Sequence, residues 1–217
     1  MSPFLRPDAP GLEDILADGA VAVLAERGAA GLNLAAVARW MGVTKQSLSQ
    51  RLADPAGARH RFLQLTVLTY GDRWLAWTRA AWAEDPPMPA LPATDDEVLG
   101  VRVWSGLAEL ARGEAAAGNP DPAAAVSAVQ SEEREMTRHR LSTWMRAYPD
   151  DDDVTELCAL VDGLRLGLAA LVPDVSLDVA RRVVARRLQS VRPAAPRYSR
   201  FKQQRRGSVA VGRARAG

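Results

Sequence analysis

Between Leu32 and Leu52 the apolar residues fall into two short helical patterns with a tight turn between them. Leu34, Val37, Ala38 and Met41 recur at steps of three and four, which gives one apolar face. Leu48 and Leu52 repeat at the same spacing in the second stretch. Asn33 and Thr44 stand immediately before these patterns, where a side-chain oxygen can accept an otherwise unpaired amide of the first turn. Gly42 occupies the position at which a helix is left through a left-handed residue, and Val43 is the apolar plug of the turn. The outer face of the second stretch is Lys45, Gln46, Ser47, Ser49, Gln50 and Arg51, a row of donors and acceptors suited to base edges and phosphates. The pattern predicts a helix-turn-helix whose second helix enters the major groove of DNA.

The remaining pattern is helical throughout. Leu12, Ile15, Leu16, Gly19, Ala20, Val23 and Leu24 form a stripe of a first helix that ends on Gly28. Asp54-Pro55 predicts a helix start, and the helix so begun runs to about Glu84. Its roughly 30 residues span about 45 Å, the length of a strut joining two parts. Tyr70, Trp74, Trp77 and Ala81 share one stripe of it, with Trp82 close by. Aromatic residues at that spacing serve as core, as the wall of an apolar cavity, or as both. Glu84 to Ala93 is proline-rich, and Thr94 with Glu97 is a capping box. The helix that follows carries Val101, Trp104, Leu107, Ala108 and Ala111 and stops near Gly113. Gly118-Asn119-Pro120 is a break. A helix from about Pro122 to Tyr148 includes Trp144, and its middle, SEEREMTRHR, is expected to face water. Pro149 to Asp153 reads as a loop of clustered carboxylates leading into a helix N-terminus, where negative charge is favourable. Leu157, Val161, Leu164, Leu168 and Leu171 mark the apolar stripe of the next helix, with Gly163 and Gly167 between them. Ser176 caps a last helix striped by Ala180, Val183, Val184, Leu188 and Val191. Two such helices suit either a helix-pair interface or burial within one chain.

The order of events from Ile15 to Leu63 resembles the tetracycline-repressor (TetR) family. Gly42, Val43, Thr44 and Leu48 match its usual pattern. Ser49, Arg51, Leu52 and Pro55 depart from it, standing where the family usually has tyrosine, histidine, phenylalanine and lysine. The tyrosine and lysine positions commonly contact phosphate, and Arg51 offers a replacement for one of them. The step Asp162-Gly163-Leu164 is similar to the penultimate helix of many such proteins. The resemblance implies an all-α protein of about nine helices, with a helix-turn-helix DNA-binding domain over 1–54 and a ligand-binding and dimerisation domain over 55–191; the charge pattern adds a basic tail over 192–217. It further implies a bacterial, cytoplasmic regulator, usually a repressor, released from a palindromic operator by a small ligand. Lys45, Gln46, Ser47 and Gln50 are the candidate base contacts; Asn33, Thr44, Ser49 and Arg51 are the candidate phosphate contacts. Tyr70, Trp74, Trp77, Trp104 and Trp144 are candidates for the ligand cavity, whose aromatic lining suits an apolar or planar ligand. Leu157, Val161, Leu164, Leu168, Val183, Val184 and Leu188 are candidates for a homodimer interface, which rests mainly on the resemblance.

Composition refines this picture in three ways. The net charge of +2 hides an asymmetry: counting Lys and Arg against Asp and Glu, Met1 to Leu63 is +1, Gln64 to Val191 is −7 and Arg192 to Gly217 is +8. Arginine dominates the cations, with Lys45 and Lys202 the only lysines, and the basic tail is expected to be disordered. A single cysteine, Cys158, excludes an internal disulfide and suits a reducing compartment. No run approaches the roughly 20 apolar residues of a membrane span, and MSPFLRPDAPGLED holds no signal-like apolar stretch.

Sequence signatures of catalysis are missing: there is no GxxxxGK[ST], GxSxG, HExxH or pair of cysteines. His60 and His139 lie on different predicted helices. The sequence therefore predicts no enzyme, metal or cofactor. Two other readings stay open, an interaction protein on the same scaffold with weakened DNA binding and a small all-α enzyme using the apolar cavity.

Overall fold

Gly28, Gly42 and Gly118 have positive φ, and each stands where the chain of this computed structural model leaves a helical run. The structure describes residues 11–52, 57–83, 88–145, 149–170 and 175–191; among them there are eight α-helices and no strand. The protein is all-α, with one helix fewer among the described residues than the sequence suggests. The expected cap and proline at Asp54-Pro55, the expected helix ends at Glu84 and Tyr148, Leu171 and the basic tail lie outside the described residues.

Helix α1 (Leu12–Gly31) buries Leu16, Ala17, Gly19, Ala20, Val23 and Leu24. Gly28 breaks its regular course at φ 67° and ψ −176°, a conformation essentially restricted to glycine. Helix α2 (Leu34–Trp40) begins on Asn33, whose Oδ1 accepts the Ala36 amide at 3.0 Å. It ends in a full Schellman arrangement: the Gly42 amide donates to the Arg39 carbonyl at 3.1 Å and the Val43 amide to that of Ala38 at 2.9 Å. Helix α3 (Lys45–Arg51) begins on Thr44, which accepts the Ser47 amide at 3.1 Å. Leu48, fully buried, pins it to the core with about 1.5–3 kcal/mol of hydrophobic free energy. The close approach of α2 to α1 depends on Gly19: a Cβ there would lie 2.8 Å from the Trp40 ring and 2.9 Å from Val37.

Helix α4 (Ala58–Trp82) has 25 residues, about 37 Å at 1.5 Å per residue, and Gly57 precedes its first turn. Helix α5 (Asp95–Ala116) opens with the complete Thr94–Glu97 capping box and runs three residues beyond Gly113. Helix α6 (Asp121–Met145) follows the Gly118 break. Helix α7 (Asp151–Ala169) is capped by Asp150, with Asp151, Asp152 and Asp153 in its first turn, where their charge complements the helix dipole. Helix α8 (Leu177–Val191) starts with the Val179 amide donating to Ser176 Oγ at 3.3 Å.

Two apolar clusters hold these helices. The larger passes without interruption from Leu16 and Leu48 through Phe62, Val67 and Trp74 to Leu107 and Val129. It thus joins α1–α3 to α4, α5 and α6 across the boundary expected at residue 54. The smaller gathers Trp82, Leu141, Leu157, Val161, Leu168, Val184 and Leu188 around the α7–α8 pair. A buried ion pair ties α1 to α4, with Arg73, 7% exposed, on Asp14 at 3.2 Å and on Asp18 at 2.5 Å.

Candidate functional site

The polar face of α3 is presented outward. Lys45, Gln46, Gln50 and Arg51 are exposed, Ser47 and Ser49 are half-buried, and Leu48 faces the core. No aspartate or glutamate occurs from Arg27 to Leu52, whereas Arg27, Arg39, Lys45 and Arg51 do. The field over α2 and α3 is therefore of one sign apart from what the rest of the molecule contributes. Asn33 and Thr44 are exposed but already engaged. The Asn33 amide also donates to the Gly31 carbonyl at 3.1 Å, so one Nδ2 hydrogen of Asn33 and the hydroxyl proton of Thr44 are what remain for a phosphate. Two neighbours carry no mark in the sequence pattern. Trp40 is 49% exposed at the end of α2, and Arg59 reaches from the start of α4 to Glu114 of α5 at 2.6 Å.

The aromatic residues converge in part. Trp74 and Trp104 stack with ring centroids 5.5 Å apart and planes 19° apart. Trp77 lies 5.1 Å from Trp74 in a tilted arrangement. Tyr70 is fully buried and donates its hydroxyl to the Gly100 carbonyl at 3.1 Å. Burial pushes its phenol up, with Arg73 opposing. Trp144 is elsewhere, packed against the α7–α8 cluster. A cavity of about 280 Å³ lies between α4, α5, α6 and α7, and Trp74 and Trp104 are the two expected residues that line it. Tyr70, Trp77 and Trp144 line none of the described cavities. Tyr70 and Trp77 are each tied by a polar atom, the Tyr70 hydroxyl to Gly100 and the Trp77 indole donating to Glu97 at 3.0 Å.

At the centre of this region is a group of charges, one of which, Glu133, the sequence pattern places in water. Glu133, in the middle of the charged stretch of α6, turns inward. It accepts from the Trp74 indole at 2.9 Å, from Arg165 at 2.7 Å and from Thr78 at 3.5 Å. Arg165, 2% exposed, also donates to the Ala90 carbonyl at 2.9 Å and to Asp162 at 3.2 Å. Its guanidinium carbon lies 4.8 Å from the Trp74 ring centroid and 5.4 Å from that of Trp77, within cation–π range. The one signal of this in the sequence is the lone arginine inside LVDGLRLGLAA, since a charge within an apolar helical run is buried only with a partner. Asp162 keeps much of its side chain at the surface; partial desolvation by the surrounding helices raises its carboxyl above the ordinary value, against the lowering effect of Arg165.

Arg165, Glu133, Gln130 and Asp162 border a second, smaller cavity of about 70 Å³, walled further by Trp82, Thr137, Leu157 and Cys158. The Cys158 thiol is pushed up by burial and, less strongly, by the Glu133 charge. A wider cleft of about 590 Å³ between α1, α5 and α7 touches the first cavity through Ser105, Glu109 and Leu166.

Five of the seven expected interface residues are consumed inside the chain. Leu157, Val161, Leu168, Val184 and Leu188 are at most 8% exposed because α8 and α6 cover the stripe of α7; they have little surface left for a second copy. Leu164 and Val183 are half-buried, and Leu166, absent from that group, is 51% exposed. The acidic run, read from sequence as a loop, opens α7 from Asp151 onward and is held by cations, Arg138 on Asp151 at 2.8 Å and Arg187 on Asp153 at 2.8 Å. Among the described residues no helix is long and apolar enough to cross a membrane.

No protein-family model matches the chain, and no curated protein compared with it does either.

Proposed function

We propose that this protein is a TetR-like DNA-binding transcriptional regulator whose reading element is α3. The observation that carries the reading is the exposed row Lys45, Gln46, Gln50 and Arg51 on a helix capped at Thr44 and anchored by Leu48, inside a stretch without acids. Side chains of that kind on a rigid helix suit base edges and phosphates in the major groove. In this reading Asn33, Thr44 and Ser49 contribute shorter phosphate contacts, and two copies of the chain place two α3 helices on successive grooves of a palindrome. An apolar or planar ligand in the cavity lined by Trp74 and Trp104 shifts the population towards a state that does not bind DNA, which requires the ligand to prefer that state. Repression is the sign we assign, on the resemblance alone.

Selection of duplexes from a random-sequence pool, followed by anisotropy with the selected duplex and a scrambled one, tests the reading. Tight binding to the selected duplex, weakened about 10-fold or more by Lys45→Ala with Arg51→Ala, is the expected result, since Lys45 is the candidate base contact, worth about 1–3 kcal/mol, and Arg51 a candidate phosphate contact. A pool that converges on no sequence overturns it. The half-buried Ser49, too short to reach as a tyrosine would, favours the second reading in that event: an interaction protein on this scaffold.

A further inference from the structure

Two hydrogen-bond donors in the wall of the 280 Å³ cavity are unused. Trp74 donates its indole proton to Glu133 and Trp77 to Glu97, whereas the indole of Trp104, 7% exposed, has no hydrogen bond among the described residues. Arg165 spends Nε on the Ala90 carbonyl and Nη1 on Glu133 and Asp162; its Nη2 donates to nothing among the described residues. Neither nitrogen is sealed in, for the buried and unpaired side-chain nitrogens among the described residues are the Nε atoms of Arg73, Arg138 and Arg187. Both residues line this cavity, and Arg165 borders the smaller one as well. A donor so placed is satisfied by water or by an acceptor on a ligand.

We infer that the ligand of this cavity is an uncharged, planar aromatic carbonyl compound, whose oxygen accepts from Arg165 Nη2 and whose rings lie against Trp104. The unused donors call for an acceptor. An anionic acceptor is disfavoured, because the same guanidinium already holds two carboxylates, Glu133 at 2.7 Å and Asp162 at 3.2 Å, and a third negative charge beside them is repelled. A cation is disfavoured as well. Glu133 spends Oε1 on Arg165 and Thr78 and Oε2 on Trp74, and the lining carboxylates with oxygen to spare, Asp162 and Glu109, are exposed to water. The stacked Trp74 and Trp104 favour a flat ring system. A cavity of about 280 Å³ is at the small end of ligand sites, with room for roughly two or three fused rings. The inference rests on the proposed function for the cavity's role as a ligand site, but its test contains no DNA. Its failure leaves the reading of α3 untouched, and a failed duplex selection leaves this binding untouched.

The test is equilibrium dialysis of the full-length protein with four probes on one skeleton: 9-fluorenone, fluorene, 9-aminofluorene as the cation and fluorene-9-carboxylate as the anion. The ketone is expected to bind about 10-fold or more tighter than fluorene, the effect of a hydrogen bond to a charged group, although fluorene is the more readily expelled from water. It should also bind tighter than either ion, and its C=O stretch in the complex should lie below its value in hexane. Arg165→Lys keeps the charge beside Glu133 and removes Nη2; it should bring the ratio of ketone to fluorene affinity to about one, with fluorene bound as before. Ala108→Phe, in the α5 wall, fills the cavity and should abolish binding of both. The wild-type series needs no variant and decides the matter if either variant fails to fold. Equal binding of ketone and fluorene, tighter binding of either ion, or no binding of any probe overturns the inference. So does a folded Arg165→Lys that keeps the ratio, or a folded Ala108→Phe that keeps the ketone.

Discussion

Arg165 of α7 and Glu133 of α6 meet at 2.7 Å inside the molecule, with the guanidinium lying over Trp74 and the carboxylate receiving the indole proton of that same Trp74. Each charge is thus held by the same tryptophan as well as by the other charge, beside its further partners. The pair borders both the 280 Å³ and the 70 Å³ cavities, so any ligand entering either one meets it. Loss of one partner leaves the other charged and buried. Arg165→Met is expected to cost about 3–5 kcal/mol, and Arg165→Met with Glu133→Gln distinctly less than the sum of the single changes. Urea unfolding of the four proteins checks this; strict additivity would show that the two side chains do not depend on each other.

The contact of α2 with α1 has no room for a side chain at position 19. Gly19→Val forces Trp40 and Val37 apart and should destabilise by about 1–3 kcal/mol. A Cβ added at Gly113 on α5 would meet nothing within 4 Å, so Gly113→Ala should stabilise by about 0.5–1 kcal/mol through helix propensity. Thermal melts of both variants give the comparison, and equal effects in the two would refute the steric account.

Asn33 and Thr44 fix where α2 and α3 begin. Asn33→Ala and Thr44→Ala should each cost about 1 kcal/mol. On the proposed function they should also weaken duplex binding more than that loss alone explains, since both are candidate phosphate contacts and Thr44 fixes the start of the reading helix. Hydrogen exchange over residues 33–52 is the appropriate readout; protection equal to the wild type would refute the role of the caps.

The thiol of Cys158 titrates above its ordinary value because burial disfavours the thiolate. The sign follows directly. Stability from the protonated thiol is complete below the unfolded-state value and is lost as pH rises through the higher folded-state value. Alkylation by iodoacetamide should therefore be slow at pH 7, with a pH–rate midpoint above that of the urea-unfolded chain. A midpoint at or below the unfolded one would contradict the burial argument.

What the sequence made legible was local. Asn33, Thr44, the Thr94–Glu97 box and Ser176 are caps whose partners lie three residues away, and Gly28, Gly42 and Gly118 act through their own φ. Rules of that range suffice to start α2, α3, α5 and α8 where they start. The internal ion pairs were not legible, because Arg165 and Glu133 are 32 residues apart and Arg73 and Asp14 are 59 apart; nothing local joins them. For the same reason SEEREMTRHR reads as a wet face although Glu133 within it turns inward. Periodicity marked the α7 and α8 stripes as apolar, but burial by the chain's own helices and burial by a second copy leave the same pattern. The aromatic stripe shows a similar limit: spacing put Tyr70, Trp74 and Trp77 on one side of α4, and only packing decided that Trp74 lines the cavity while the other two do not.

The uninterrupted core from Leu48 to Val129 has a consequence for how this molecule can be taken apart. A fragment ending at residue 54 would strip Leu16, Val37 and Leu48 of Phe62, Leu63 and Val67, and would leave Asp14 and Asp18 without Arg73. The first three helices are therefore not a cassette that can be transplanted onto another body. No splice point before the end of α6 leaves the larger cluster whole, since that cluster takes in Leu107 of α5 and Val129 of α6.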